Sequence, residues 1–152
     1  MKSVSASIEA KIMEALRALE LPFGVVGFLE TAAQGEVKEE DLTSAQVRVW
    51  NLTQSNEAQG FFSLSAEIRI TVEQAESANG DVFYAGHEKI AQWLERMMLR
   101  DACDELSTES ARVDGLERTG DDKDFDTALG AWFAVWQLTL KGMIKQEEAT
   151  NG

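Results

Sequence analysis

The sequence predicts an α+β domain in which two main helices pack on one face of a mostly antiparallel sheet. Two observations lead to this fold class. Residues 62–72 alternate apolar and polar side chains over eleven positions, which is typical of a strand with one buried and one solvated face. Apolar residues also recur at helical spacing in two other segments, about 5–20 and 82–100, which predicts two amphipathic helices.

The first helix covers about residues 5–20 and ends before Pro22, because proline cannot continue a helix. Its apolar side consists of Ile8, Ile12, Ala15, Leu16 and Leu19. Its polar side consists of Glu9, Lys11, Glu14 and Arg17. A short apolar strand is predicted over 23–29, and the acidic segment 34–43 is predicted to be a solvated loop.

Two paired strands are predicted next, over 46–50 and 62–72, with the polar segment 53–60 as the hairpin loop between them. In the second strand one side is apolar and consists of Phe62, Leu64, Ala66, Ile68, Ile70 and Val72. The other side consists of Ser63, Ser65, Glu67, Arg69 and Thr71. This alternation favours antiparallel pairing with one face against the core.

The second half of the chain adds a helix and two strands. The turn Asn79-Gly80-Asp81 precedes the second helix. After an irregular piece, a short strand over 111–117, a loop over 119–126 and a long strand or bent strand pair over 129–144 are predicted. The sequence is therefore expected to form a single domain over 1–152, with an ordered core of about 5–144 and a polar tail at 145–152.

The net charge of the chain argues against two classes of partner. Fourteen Lys and Arg residues against 27 Asp and Glu residues give a net charge of −13, and the cations are scattered singly. Adhesive binding to the nucleic-acid backbone and docking on an anionic membrane are therefore disfavoured. Cys103 is the only cysteine, so the chain forms no internal disulfide, and a reducing compartment such as the cytoplasm is expected.

No catalytic motif stands out, and we expect no enzyme activity. His87 is the only histidine, and it borders the apolar side of the second helix, where a structural role is favoured. Carboxylates on both sides of Cys103 disfavour a thiolate. The alternative is a small hydrolase or ligand-binding domain that uses His87.

Metal and cofactor sites are not expected either. One histidine and one cysteine are too few for a structural zinc site within one chain. In the acidic segment Asp121–Asp126, three aspartates have the first spacings of a calcium loop, but Thr127 and Phe133 stand where glycine and glutamate are required. A solvated turn is favoured there, with a weak oxygen-ligand site shared between subunits left open.

Aromatic residues provide the one positive indication of a partner. The last strand is apolar on both of its sides, and two helices are too few to cover both faces of the sheet, so part of the surface needs a partner. The residues proposed for oligomer or partner contacts are Trp50, Phe61, Phe62, Trp132 and Trp136.

This order of elements resembles the tail terminator or tail completion proteins of long-tailed bacteriophages, a prophage-type minor tail protein family. The resemblance covers about residues 5–144. It rests on these elements: the helix Ile8–Leu19 ended by Pro22, the strands Ala45–Trp50 and Phe62–Val72, the helix His87–Leu99, the residues Asp101 and Leu106, the strand around Val113-Asp114-Gly115, an Asp-rich turn, and the closing strand Trp132–Leu140.

The resemblance implies a structural protein without catalytic residues or cofactors. It implies a homo-oligomeric ring, expected to be a hexamer, that caps the tail tube and joins it to the head connector. Its location would be the host cytoplasm during assembly and then the virion tail. DNA would pass a lumen lined by carboxylates without being held. Another head–tail joining or baseplate assembly factor is the alternative within the same class.

Overall fold

The structure of the protein is a computed structural model, and it describes residues 4–27, 43–54, 60–73, 80–99, 101–128 and 130–145. The elements are α1 (Val4–Arg17), β1 (Gly24–Gly27), β2 (Ser44–Gln54), β3 (Phe61–Glu73), α2 (Asp81–Met97), a short 3-10 helix (Cys103–Leu106), β4 (Ala111–Asp126) and β5 (Ala131–Ile144). This order confirms the α+β class and the sequence of elements predicted for the chain.

One sheet of five strands in the order β1-β2-β3-β5-β4 organises the described part of the chain. All neighbours are antiparallel except β1 and β2, which run parallel. Strand β3 pairs along its whole length with β5, from Phe61 opposite Met143 to Glu73 opposite Ala131. The alternation of apolar and polar residues over 62–72 lies in β3, the first strand of this central pair.

Both helices pack on the same face of the sheet, as predicted. Helix α1 lies against β1 and β2, α2 lies against β3 and β5, and the 3-10 helix lies against β4. The buried side of β3 meets Trp136, Leu138 and Leu140 of β5 in register. Lys89 of α2 links the two helices, since its ammonium group donates to the carbonyl oxygens of Leu19 and Glu20 just after α1.

Strand β4 is the main correction to the predicted elements. The segment 119–126 is not a loop, because β4 continues to Asp126 and pairs with β5 up to Ala131. Tertiary pairing therefore overrides the loop-like composition of this acidic segment. Strand β5 is one strand rather than a bent pair. Strand β1 covers Gly24–Gly27 of the predicted strand over 23–29, and residues 28 and 29 lie outside the described ranges.

Helix α1 also differs from the prediction at Glu9. This side chain was assigned to the polar side, but the residue is only 2% exposed, and its Oε1 accepts a hydrogen bond from the Val49 N–H at 3.2 Å. Predictions for most of the loop over 34–43, for the interior of the hairpin loop over 53–60 and for the end of the polar tail concern residues outside the described ranges.

Candidate interaction surface

The two faces of the sheet differ in what covers them. The face under α1, α2 and the 3-10 helix is apolar and buried. No helix of the described ranges packs on the other face, which we call the open face. It carries the side of β3 that includes Glu67 and Arg69, together with the residues in register with them on the neighbouring strands, such as Arg48 and Val135.

Three of the five proposed contact residues lie on the helix-covered face. Phe62 and Trp136 are 4% and 2% exposed and belong to the core, so their side chains are not accessible to a partner in this conformation. Trp132 is partly buried and packs against Phe83 and Phe125, with ring centroids 5.7 and 5.3 Å apart. Its buried indole N–H has no hydrogen-bond partner among the described residues.

The other two residues, Trp50 and Phe61, lie on the open face. Trp50 is half-buried, and the Arg48 guanidinium lies 4.8 Å from the centroid of its ring. Phe61 is 45% exposed and stands opposite Met143. Phe133, which is not among the proposed contact residues, is half-buried on the same face opposite Thr71. Strand parity alone would have placed it there.

His87 lies in an aromatic cluster between α2 and the sheet. Its ring centroid is 4.9 Å from that of Trp136 and 5.7 Å from that of Phe83. Partial burial lowers the pKa of His87, the charge of Lys123 lowers it further, and Asp121 acts in the opposite direction. Within the described ranges His87 makes ring contacts with Phe83 and Trp136, and no nucleophile is hydrogen-bonded to it.

Cys103 is a buried thiol in the 3-10 helix. Its Sγ lies 3.7 Å from the carbonyl oxygen of Val113, to which it donates a weak hydrogen bond. Burial raises the pKa of Cys103, and the carboxylates of Asp114 and Asp104 raise it further. The group is therefore held as a neutral thiol, which is a poor nucleophile.

The acidic segment Asp121–Asp126, which was compared with a calcium loop, is extended strand. Its side chains alternate between faces, so Asp122 and Asp124 point to the open face while Lys123 lies on the helix side, with its ammonium group 5.5 Å from the Tyr84 ring centroid. Residues two apart along a strand are separated by about 6.6 Å, too far to form the compact turn of a calcium loop. Among the described residues no cluster of three potential ligands is found.

A groove of about 370 Å³ lies between α1, α2 and the 3-10 helix. Its floor is apolar and includes Leu19, Trp93 and Leu106. An ion pair between Arg96 and Glu105, 2.5 Å apart at the closest atoms, closes one side. Lys11 and Glu14 add further charged side chains to the lining. In the described ranges no helix is long and apolar enough to cross a membrane.

Comparison with known proteins gives a match in structure but none in sequence. No protein-family model matches the chain, and no curated protein matches it. The fold matches a chain in a structure of the virion of a native gene transfer agent particle, with a TM-score of 0.55 and 12% sequence identity. The match covers 93% of this chain and 95% of that chain. The two chains therefore share a fold over nearly their whole lengths.

Proposed function

We propose that this protein is a structural component of a phage-type virion that forms a ring at the end of the tail tube and joins the tube to the head connector. The observation that carries the proposal is the fold shared, almost end to end, with a chain of a gene transfer agent virion. The position at the end of the tail tube is proposed from the resemblance of the element order to tail terminator proteins.

The local chemistry supports a role without catalysis. His87 is packed against aromatic rings and Cys103 is a buried neutral thiol. What the described surface offers instead is an open sheet face with aromatic and charged side chains. Such a protein acts through interfaces, because burying surface between copies and between partners supplies the free energy of assembly.

The acidic composition fits a ring-shaped protein through whose lumen DNA passes. A ring with carboxylates toward its lumen repels the phosphate backbone at distances up to about the Debye length, roughly 10 Å at 0.1 M salt. The net charge of −13 supports such a field. On this proposal the protein contacts other virion proteins tightly and holds no DNA.

Tube assembly in the presence of the protein tests the proposal. Tail-tube protein from the same phage or prophage is allowed to polymerise with and without this chain, and tube lengths are measured by negative-stain electron microscopy. We expect shorter tubes that carry a ring of extra density at one end. Unchanged lengths and bare ends would contradict a capping role, and binding only to connector or baseplate proteins would favour the other assembly-factor role.

A further inference from the structure

Strand β4 is the last strand in the order of the sheet, so within the described part of the chain its outer edge has no neighbouring strand. In an antiparallel pair, the backbone N–H and C=O groups of successive residues point alternately to the partner strand and away from it. An exposed row of such groups is a template for pairing with a strand of another molecule. The outer edge of β4 is therefore a place where the sheet could extend into a second copy.

Hydrogen bonds on the other side of β5 show which backbone groups of β4 point outward. The Ile144 N–H donates to the carbonyl oxygen of the residue just before β3. Because bond directions alternate along a strand and β5 pairs with β3 without a shift, even-numbered residues of β5 bond to β3 and odd-numbered ones to β4. Val135 stands opposite Asp122, so the backbone of Asp122 bonds to β5. The N–H groups of Lys123 and Phe125 therefore point outward.

Aspartate side chains occupy these two outward N–H groups. The Lys123 N–H donates to Oδ1 of Asp122 at 2.8 Å. The Phe125 N–H donates to Oδ1 of Asp124, also at 2.8 Å. In each case the carboxylate of one residue turns back over the edge and accepts from the N–H of the next residue. Two donors that an added strand would need are therefore already bound within the chain.

The rest of the outer edge of β4 is closed by other features. Near the start of the strand, the Val113 N–H donates to Oγ of Ser107 at 2.9 Å. Further along, the pairing with β5 is interrupted between Val113 and Gly115 and again between Arg118 and Gly120. Interruptions of this kind bend and twist the edge, which hinders pairing with a regular strand. The stretch beyond Gly120 is the regular part of the edge, and there the aspartates occupy all but the first of the outward N–H groups.

We propose that Asp122 and Asp124 close the outer edge of β4 and so prevent it from pairing with the same edge of a second copy. Pairing of this edge with itself would use one surface of both copies and would produce pairs. With the edge closed, a second copy has to bind elsewhere on the fold. The inference does not rest on the proposed ring, because it holds equally for a chain that stays single.

Removal of the two acceptors tests the inference by native mass spectrometry and light scattering. In Asp122→Ala with Asp124→Ala the outward N–H groups are free, and we expect pairing beyond that of the wild type at a protein concentration lower by about tenfold. Asp122→Asn with Asp124→Asn removes the same two charges but keeps an acceptor oxygen at each position, so it should behave like the wild type. Glu88→Ala with Glu95→Ala, which removes two exposed charges from α2, should also behave like the wild type.

Hydrogen exchange measured by mass spectrometry locates the new contact. Peptides that cover 118–126 of the double alanine variant should exchange more slowly at high protein concentration than at low, and peptides of α1 should not change. Asp124→Ala alone frees only the Phe125 N–H and should give a smaller increase in pairing. No increase in either alanine variant, or an increase without slower exchange in 118–126, would overturn the inference. Equal pairing of the asparagine and alanine double variants would also overturn it, because charge rather than the occupied N–H groups would then keep copies apart.

Discussion

Glu9 is a buried carboxylate that joins α1 to the sheet. The described register of β1 with β2 reaches Gly27 opposite Val47, and two residues further along β2 the Val49 N–H donates to Oε1 of Glu9 at 3.2 Å. We expect Glu9→Ala to lower the free energy of unfolding by about 1–3 kcal/mol, because the buried N–H loses its acceptor. Urea denaturation measures the loss.

Two variants control this prediction. Glu9→Gln keeps an acceptor oxygen and should lose less stability than Glu9→Ala. Glu14→Ala removes an exposed carboxylate from the same helix and should change stability by no more than about 0.5 kcal/mol. Equal effects of Glu9→Ala and Glu14→Ala would show that the hydrogen bond to Val49 does not hold α1 in place.

His87 should make stability depend on pH. Its pKa in the folded protein is below the ordinary value of 6.5. At a pH between the folded pKa and 6.5, the unfolded chain therefore binds more protons than the folded one. The free energy of unfolding should therefore fall as the pH falls below about 6.5. His87→Phe, which keeps a ring against Trp136, should remove that component. Urea denaturation between pH 5.5 and 7.5 compares the two, and identical slopes would contradict the account.

At the scale of elements, Gly142 sets how closely β4 approaches β5. A Cβ at this position would collide with the backbone carbonyl oxygen of Arg112, beside the interruption between Val113 and Gly115. We expect Gly142→Ala to cost about 1–3 kcal/mol, since a backbone atom must move. The melting temperature should fall accordingly. Gly115→Ala, where nothing lies within 4 Å of the added Cβ, is the matched control and should have little effect.

The same elements show what a sequence can and cannot predict. Helices α1 and α2 and strand β3 follow from periodicity, because each buries one regular side. The outer half of β4 does not, since its carboxylates resemble a solvated loop and only pairing with β5 makes it a strand. Glu9 could not be assigned either, because its partner, the Val49 N–H, lies 40 residues along the chain and meets it only in the assembled fold.

The candidate surface was predictable only in part. Alternation along β3 already puts Phe62 on the apolar side, and the structure places that side chain in the core with Trp136. Trp50 and Phe61 lie on the open face. The placement of Asp122 and Asp124 on this face required the register between β4 and β5, which composition does not contain. Long-range pairing, more than local preference, decides where these side chains meet.

For the whole molecule, the central claim is that copies of this chain assemble into a ring. Size-exclusion chromatography with multi-angle light scattering tests it most directly, at increasing protein concentration and with tail-tube protein added. The account predicts a closed particle with a mass near six times the 16.8 kDa of one chain, either alone or on binding the tube protein. A mass that stays at that of one chain under all these conditions would contradict it.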